Sequence, residues 1–112
     1  MIDEFGGWDL FQALLQELKS IAAKHEVKLA NVATRYILDR PQVAGIIVGA
    51  RGVNHLQENL QAFDLSLDKE DHAALNKILR ERKGPPGDVF DIERIKDGPH
   101  GAIMKYNLNS DL

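Results

Sequence analysis

The sequence predicts an α/β protein dominated by helices, with one strand that has no neighbours of its own. Several segments carry apolar residues at the spacing of an amphipathic helix. One uninterrupted apolar run, Val43–Val48, has the length and β-branched content of a strand covered on both faces, as in a parallel sheet. Because a strand needs partners for its backbone hydrogen bonds, the sequence looks like part of a larger sheet.

Composition indicates one small globular domain. The chain has 112 residues, of which 44% are hydrophobic and 28% charged. Fourteen Lys and Arg against 17 Asp and Glu give a net charge of −3, which argues against nucleic acid as a partner. The absence of cysteine excludes disulfides, thiolate zinc sites and cysteine nucleophiles.

The sequence carries no signal for a membrane. No apolar run approaches the roughly 20 residues that span a bilayer. The first residues, Met1-Ile2-Asp3-Glu4-Phe5, have no basic segment followed by an apolar core, so they do not resemble a signal peptide. We therefore expect a cytoplasmic protein without a membrane partner.

Two helices are predicted before the strand. The first runs from about residue 10 to 24, with Asp9 as its N-cap and Gln12 completing a capping box. The second runs from about residue 30 to 39 and is ended by Pro41, because the residue before a proline is biased away from helical angles.

Two more helices are predicted after the strand. The third starts near Asn54, which is a plausible cap, and the fourth follows Asp68, with Asp71 as an acidic third position. The run Gly84-Pro85-Pro86-Gly87 ends the fourth helix. We expect residues 88–112 to form an irregular tail that packs on the rest of the protein.

The loop after the strand is the best candidate site for chemistry. In parallel α/β folds, ligands bind at the carboxyl ends of the strands, near the positive ends of helices. Gly49 and Gly52 let a backbone approach an anion, and Arg51 offers a planar bidentate donor suited to phosphate. His55, Glu58 and Asn59 line one face of the next helix and could hydrogen-bond adenine or ribose. The alternative is an ordinary turn followed by a solvated polar face.

The run VAGIIVGARGVNHLQENLQAF, residues 43–63, resembles the last strand and following helix of aldo-keto reductases. The preceding IAAKHEVKLANVATRYILDRP and the following LSLDKEDHAALNKIL resemble the flanking helices of that family, in the same order. The family fold is a (β/α)8 TIM barrel of about 250 residues. The resemblance implies that residues 1–83 are the C-terminal part of such a barrel and residues 84–112 a tail packed on it.

The resemblance also implies a cofactor, NADP(H). Gly49, Ala50 and Arg51 would lie near its 2′-phosphate and ribose. Glu58 and Asn59 would lie near the adenine, as would His55, which stands where many relatives have glutamine. The parent reaction would be reversible hydride transfer between NADPH and an aldehyde or ketone.

No catalytic residue is assigned in this chain. The Asp, Tyr, Lys and His that catalyse the reaction in the family lie upstream of the matching segment, and no Tyr, Lys or His of this chain occupies one of those positions. We therefore expect the chain alone to be inactive. Its partner would be an upstream barrel segment or another copy of the chain.

One alternative function belongs to a different class of protein. The chain could be a small, self-associating helical interaction module without catalytic activity, which pairs its strand Val43–Val48 with another copy. A metal site is not predicted, because the four histidines are widely spaced and form no pair at helical spacing.

Overall fold

A computed structural model describes residues 1–104, and within them every regular element is a helix. The α-helices are α1 (Ile2–Phe5), α2 (Trp8–Lys24), α3 (Leu29–Leu38), α4 (Val53–Asp64), α5 (Lys69–Leu79) and α6 (Val89–Glu93), followed by a 3₁₀ turn at Gly101–Ile103. The predicted dominance of helices is confirmed. The last part of the predicted tail, residues 105–112, lies outside the described residues.

The core lies where α2, α3 and α5 meet. Helix α2 packs against both α3 and α5, and α4 packs on α3. Val32 and Leu75 are completely buried at the centre of this cluster. The other buried members are Leu18, Ile21, Ala22, Tyr36 and Leu65. All of these residues except Leu65 occupy the apolar stripes of α2, α3 and α5, so burial of these three stripes holds the fold together.

Helices α2 and α4 begin earlier than predicted, and the predicted caps are wrong. Helix α2 begins at Trp8 after Gly7, whose φ of 101° makes a turn that favours glycine. The Gly7 carbonyl accepts the first helical bond from the amide of Phe11 at 3.2 Å, so Asp9 lies inside the first turn. Helix α4 begins at Val53 after Gly52, and no side chain caps it.

The predicted start of α5 is confirmed. Asp68 is the N-cap, and its Oδ1 accepts a hydrogen bond from the amide of Asp71 at 2.9 Å. In return, Asp71 Oδ2 accepts from the amide of Asp68 at 3.1 Å. Each carboxylate thus satisfies an amide that would otherwise have no partner at the helix end.

The predicted strand at Val43–Val48 is wrong for this structure. The amide of Val43 bonds to the carbonyl of Arg40 at 3.3 Å, but the described residues give no backbone hydrogen bond to the amides of residues 44–48. The side chain of Ile47 is fully exposed. The physical reason is the missing neighbour: a β-branched run has nothing to pair with among the described helices.

Residues 84–104 return to the start of the chain. The amide of Lys83 donates to the carbonyl of Phe5 at 3.0 Å, and the ring of His100 hydrogen-bonds the Glu4 carboxylate. Gly101, the residue after His100, is buried. None of the helices in residues 1–104 combines the length and apolarity needed to cross a bilayer.

Candidate functional site

The predicted phosphate loop, residues 49–52, leads directly into the N-terminus of α4. Gly49, Ala50, Arg51 and Gly52 are all exposed. No ion pair or hydrogen bond involves the Arg51 guanidinium within residues 1–104. The first turn of α4 has no side-chain cap, and the His55 amide donates to the Gly52 carbonyl at 3.2 Å. The amides of Val53 and Asn54 have no partner within residues 1–104, so they and the positive end of the helix dipole are open to a ligand. This arrangement suits an anion.

His55 and Glu58 come together on the surface of α4. His55 Nδ1 lies 3.5 Å from Glu58 Oε2, and the Glu58 carboxylate also bonds the ammonium of Lys28 at the start of α3. The hydrogen bond from Lys28 lowers the pKa of Glu58, so this carboxylate is ionised at neutral pH. The Glu58 carbonyl accepts from Asn31 Nδ2 at 2.7 Å. Glu58 therefore links α4 to α3, and its carboxylate can also accept a hydrogen bond from a ligand.

Asn59 is half-buried and faces a different environment. It lines an apolar groove of about 360 Å³ between α3, α4 and residues 44–48. The other walls of this groove include Ile46, Val48, Leu56 and Leu60. Asn59 thus contributes an amide to a mostly apolar surface, whereas His55 and Glu58 belong to a charged one.

Helix α4 leaves much of its apolar side uncovered. Val53, Leu56, Leu60 and Phe63 are exposed, with Phe63 at 71%. The neighbouring Ile47 is exposed as well. A contiguous apolar surface of this kind marks a place where another polypeptide or another part of a protein packs.

Comparison with known proteins adds the decisive observation. The family model of the aldo/keto reductase family matches residues 2–80, which is most of the chain. The chain belongs to the aldo/keto reductase family. The matched residues include the loop 49–52 and all of α4, so every residue predicted to bind a cofactor lies in the aldo/keto reductase segment.

Individual aldo/keto reductase relatives are much longer than this chain. It is 33% identical to an aryl-alcohol dehydrogenase [NADP(+)] of Phanerodontia chrysosporium over 93% of the chain and 28% of that protein. It is 34% identical to the oxidoreductase YrpG of Bacillus subtilis over 67% of the chain and 22% of that protein. It is 28% identical to the aldo-keto reductase ausK of Emericella nidulans over 80% of the chain and 23% of that protein. The chain spans less than a third of the length of these relatives.

Sequence reasoning missed one cluster of ionisable groups in this aldo/keto reductase segment. His25 Nε2 lies 2.6 Å from Asp71 Oδ2, and the Lys24 ammonium lies 2.9 Å from Asp71 Oδ1 and 2.5 Å from Asp68 Oδ2. The three side chains His25, Asp68 and Asp71 offer ligand atoms within 4.8 Å of one another, a spacing that could hold a metal ion. Lys24 already supplies one positive charge between the two carboxylates, so part of their negative charge is compensated without a metal.

The electrostatics of this cluster follow from those contacts. The hydrogen bond from Lys24, supported by the Asp71 amide, lowers the pKa of Asp68 to about 2. For Asp71, burial raises the pKa, but the hydrogen bonds from His25 and Lys24 outweigh it and the pKa is lowered overall. The same pairing raises the pKa of Lys24. The capping-box pattern at Asp68 and Asp71 was the sequence signal for these two carboxylates. Their partners at the end of α2 are more than 40 residues away in the sequence, so no local pattern connects them.

Proposed function

We propose that this chain is the C-terminal portion of an NADP(H)-dependent aldo/keto reductase barrel and binds the adenosine 2′-phosphate end of the cofactor. The observation that carries the proposal is Arg51: an exposed guanidinium without an ion-pair partner in residues 1–104, in a glycine-bounded loop before an uncapped helix. Family membership supports the same conclusion. The name of the Phanerodontia chrysosporium relative, an aryl-alcohol dehydrogenase [NADP(+)], agrees with this choice of cofactor.

The residues present fit a phosphorylated ribose. Apart from each glycine and its two chain neighbours, no heavy atom of the described residues lies within 4 Å of the position that a Cβ would take at Gly49 or Gly52, so the loop is open to a bulky anion. Gly49, Ala50 and Arg51 would bind the 2′-phosphate, with Arg51 as a bidentate donor. The bound cofactor would supply the hydride that is exchanged with the carbonyl substrate.

The adenine would lie against α4. The ionised Glu58 carboxylate accepts hydrogen bonds, which suits the exocyclic amino group of adenine. His55 and Asn59 would complete this part of the site, His55 as a ring that can stack or hydrogen-bond. Lys28 holds Glu58 through its ammonium and would keep the carboxylate in place.

The partner in this proposal is the upstream part of the barrel. Residues 43–48 would pair with its strands and become the last strand of the (β/α)8 sheet. The exposed apolar residues Ile47, Leu60 and Phe63 would then be covered. The upstream part would also supply the nicotinamide pocket and the catalytic groups, and the assembled enzyme would reduce aldehydes or ketones reversibly.

A chimera tests the phosphate assignment. Residues 2–80 replace the matching segment of the aryl-alcohol dehydrogenase of Phanerodontia chrysosporium, and the dissociation constants for NADPH and NADH are measured by fluorescence titration. Because Arg51 would pair with the 2′-phosphate, Arg51→Ala is expected to weaken NADPH binding about tenfold or more and leave NADH binding unchanged.

Lys77→Ala provides the matched control. It removes one exposed positive charge from α5, away from the loop, and should leave the preference for NADPH unchanged. A second measurement uses the 112-residue chain itself, titrated with adenosine 2′,5′-bisphosphate and with adenosine 5′-monophosphate and followed by NMR. An Arg51→Ala chimera that keeps its full preference for NADPH would show that the 2′-phosphate binds elsewhere.

A further inference from the structure

A second groove, lined by none of the residues of the loop 49–52, carries a different chemistry. It has a volume of about 660 Å³ and runs between α2, α3 and α5. Its floor is apolar and is formed by Leu14, Leu18, Ile37, Leu75 and Leu79. The volume falls in the range of small-molecule sites, and an apolar floor favours a ligand with a hydrocarbon part.

Three arginines surround this groove. Arg40 follows α3, and Arg80 and Arg82 follow α5; all three are exposed and line the groove, which we call the Arg groove. The structure pairs neither Arg80 nor Arg82 with a carboxylate in the part of the chain that it describes. Glu81, which lies between them in sequence, does not line the groove. The rim therefore concentrates positive charge over an apolar floor.

The third arginine is held in place by neutral neighbours. Arg40 Nη1 donates to the Tyr36 hydroxyl at 3.3 Å, and its guanidinium lies 5.7 Å from the centre of the Tyr36 ring. The Tyr36 hydroxyl in turn donates to Asn76 Oδ1 at 2.6 Å. Neither contact neutralises the charge of Arg40. The Asn76 amide nitrogen makes no hydrogen bond in residues 1–104 and remains available as a donor at the groove.

We infer that the Arg groove binds a small amphipathic carboxylate, with the hydrocarbon part on the leucine floor and the carboxylate among Arg40, Arg80 and Arg82. Arginine forms bidentate bonds with carboxylates, and the apolar floor disfavours an inorganic anion, which has no hydrocarbon to bury. The site goes beyond the proposed cofactor function. It uses none of the residues 49–59, so the two proposals can fail separately.

Calorimetric titration of the 112-residue chain with octanoate tests the inference. Octanoate should bind, octanol should bind more weakly because it lacks the charge, and butanoate should bind about a hundredfold more weakly because it buries four fewer methylenes. Arg80→Ala and Arg82→Ala should each weaken octanoate binding about fivefold, as expected for an exposed ion pair. Neither change should alter octanol binding.

Arg94→Ala is the matched control for net charge. The Arg94 guanidinium stacks on the Phe90 ring and does not line the Arg groove, so this variant should bind octanoate like the unchanged chain. Circular dichroism establishes that each variant is folded. Equal binding of octanoate and octanol, or an equal loss in the Arg94→Ala and Arg80→Ala variants, would overturn the inference. So would undiminished octanoate binding when Arg80 and Arg82 are both replaced.

Discussion

At the scale of single residues, Asp71 is the most constrained ionisable group in the described structure. It is buried, yet it accepts hydrogen bonds from His25, from Lys24 and from the amide of Asp68. A buried carboxylate is tolerated when its hydrogen-bonding capacity is met in this way. Asp71 therefore joins the end of α2 to the start of α5 and completes the capping box of α5 at the same time.

The Lys24–Asp68 pair predicts a loss of stability in acid. The pKa of Asp68 is about 2 in the folded chain and 3.8 ordinarily, so the fold favours the ionised carboxylate. The stability that the ionised Asp68 carboxylate contributes to the fold is complete above about pH 4 and disappears as the pH falls through about 2. The urea midpoint of the chain should therefore decrease over this interval.

Asp68→Asn isolates that effect. Asparagine remains a good N-cap, so the helix start is preserved while the titrating group is removed. The variant should show a shallower decrease of the urea midpoint between pH 4 and pH 2, measured by circular dichroism. Equal slopes in the two proteins would show that Asp68 does not contribute to the acid dependence.

At the scale of elements, helices that bury their apolar stripe within the chain were predictable. The stripes of α2, α3 and α5 meet one another, so the periodicity and the folded contacts agree. The run at Val43–Val48 has equally clear strand character, but a strand depends on a neighbour that the described helices do not provide. The exact starts of α2 and α4 were also missed, because their N-caps, Gly7 and Gly52, have no side chain that could mark the cap in the sequence.

This difference between buried and uncovered stripes predicts two outcomes for the same substitution. Leu75 is 1% exposed, so Leu75→Ala should lower the free energy of unfolding by about 2–5 kcal/mol, because it leaves a cavity in the core. Leu60 on α4 is 58% exposed, and Leu60→Ala should change stability by less than about 0.5 kcal/mol. Urea unfolding measures both. Similar losses of unfolding free energy in Leu75→Ala and Leu60→Ala would mean that the apolar side of α4 is covered in solution.

At the scale of the whole molecule, the candidate phosphate loop could be proposed from sequence because its residues are contiguous. The strand-loop-helix pattern and the family resemblance both lead to Arg51 and α4 without any long-range information. The anchoring of Glu58 by Lys28 and the pairing of His25 with Asp71 depend on how α2, α3, α4 and α5 pack, so neither followed from local pattern. The apolar floor of the Arg groove and the position of Arg40 beside it depend on that packing as well.

The exposed apolar surface predicts concentration-dependent association of the chain when no upstream barrel segment is present. Replacing Ile47 and Phe63 together by lysine places charge on that surface and should give a monomer in sedimentation velocity. Replacing Gln57 and Gln61 by lysine adds the same charge at exposed polar positions of α4 and should leave association unchanged. Equal association in both variants would show that contacts form elsewhere.

The unpaired backbone of residues 44–48 has a consequence for dynamics. Amides that donate no hydrogen bond exchange with deuterium at nearly the rate of an unstructured peptide, whereas core amides exchange only when the fold opens. We expect hydrogen–deuterium exchange followed by mass spectrometry to show rapid labelling of the segment between α3 and α4. A protease should also cut this segment first. Since α4 packs on α3 and α5 on α2, the two halves of a nicked chain should stay together until denaturant separates them.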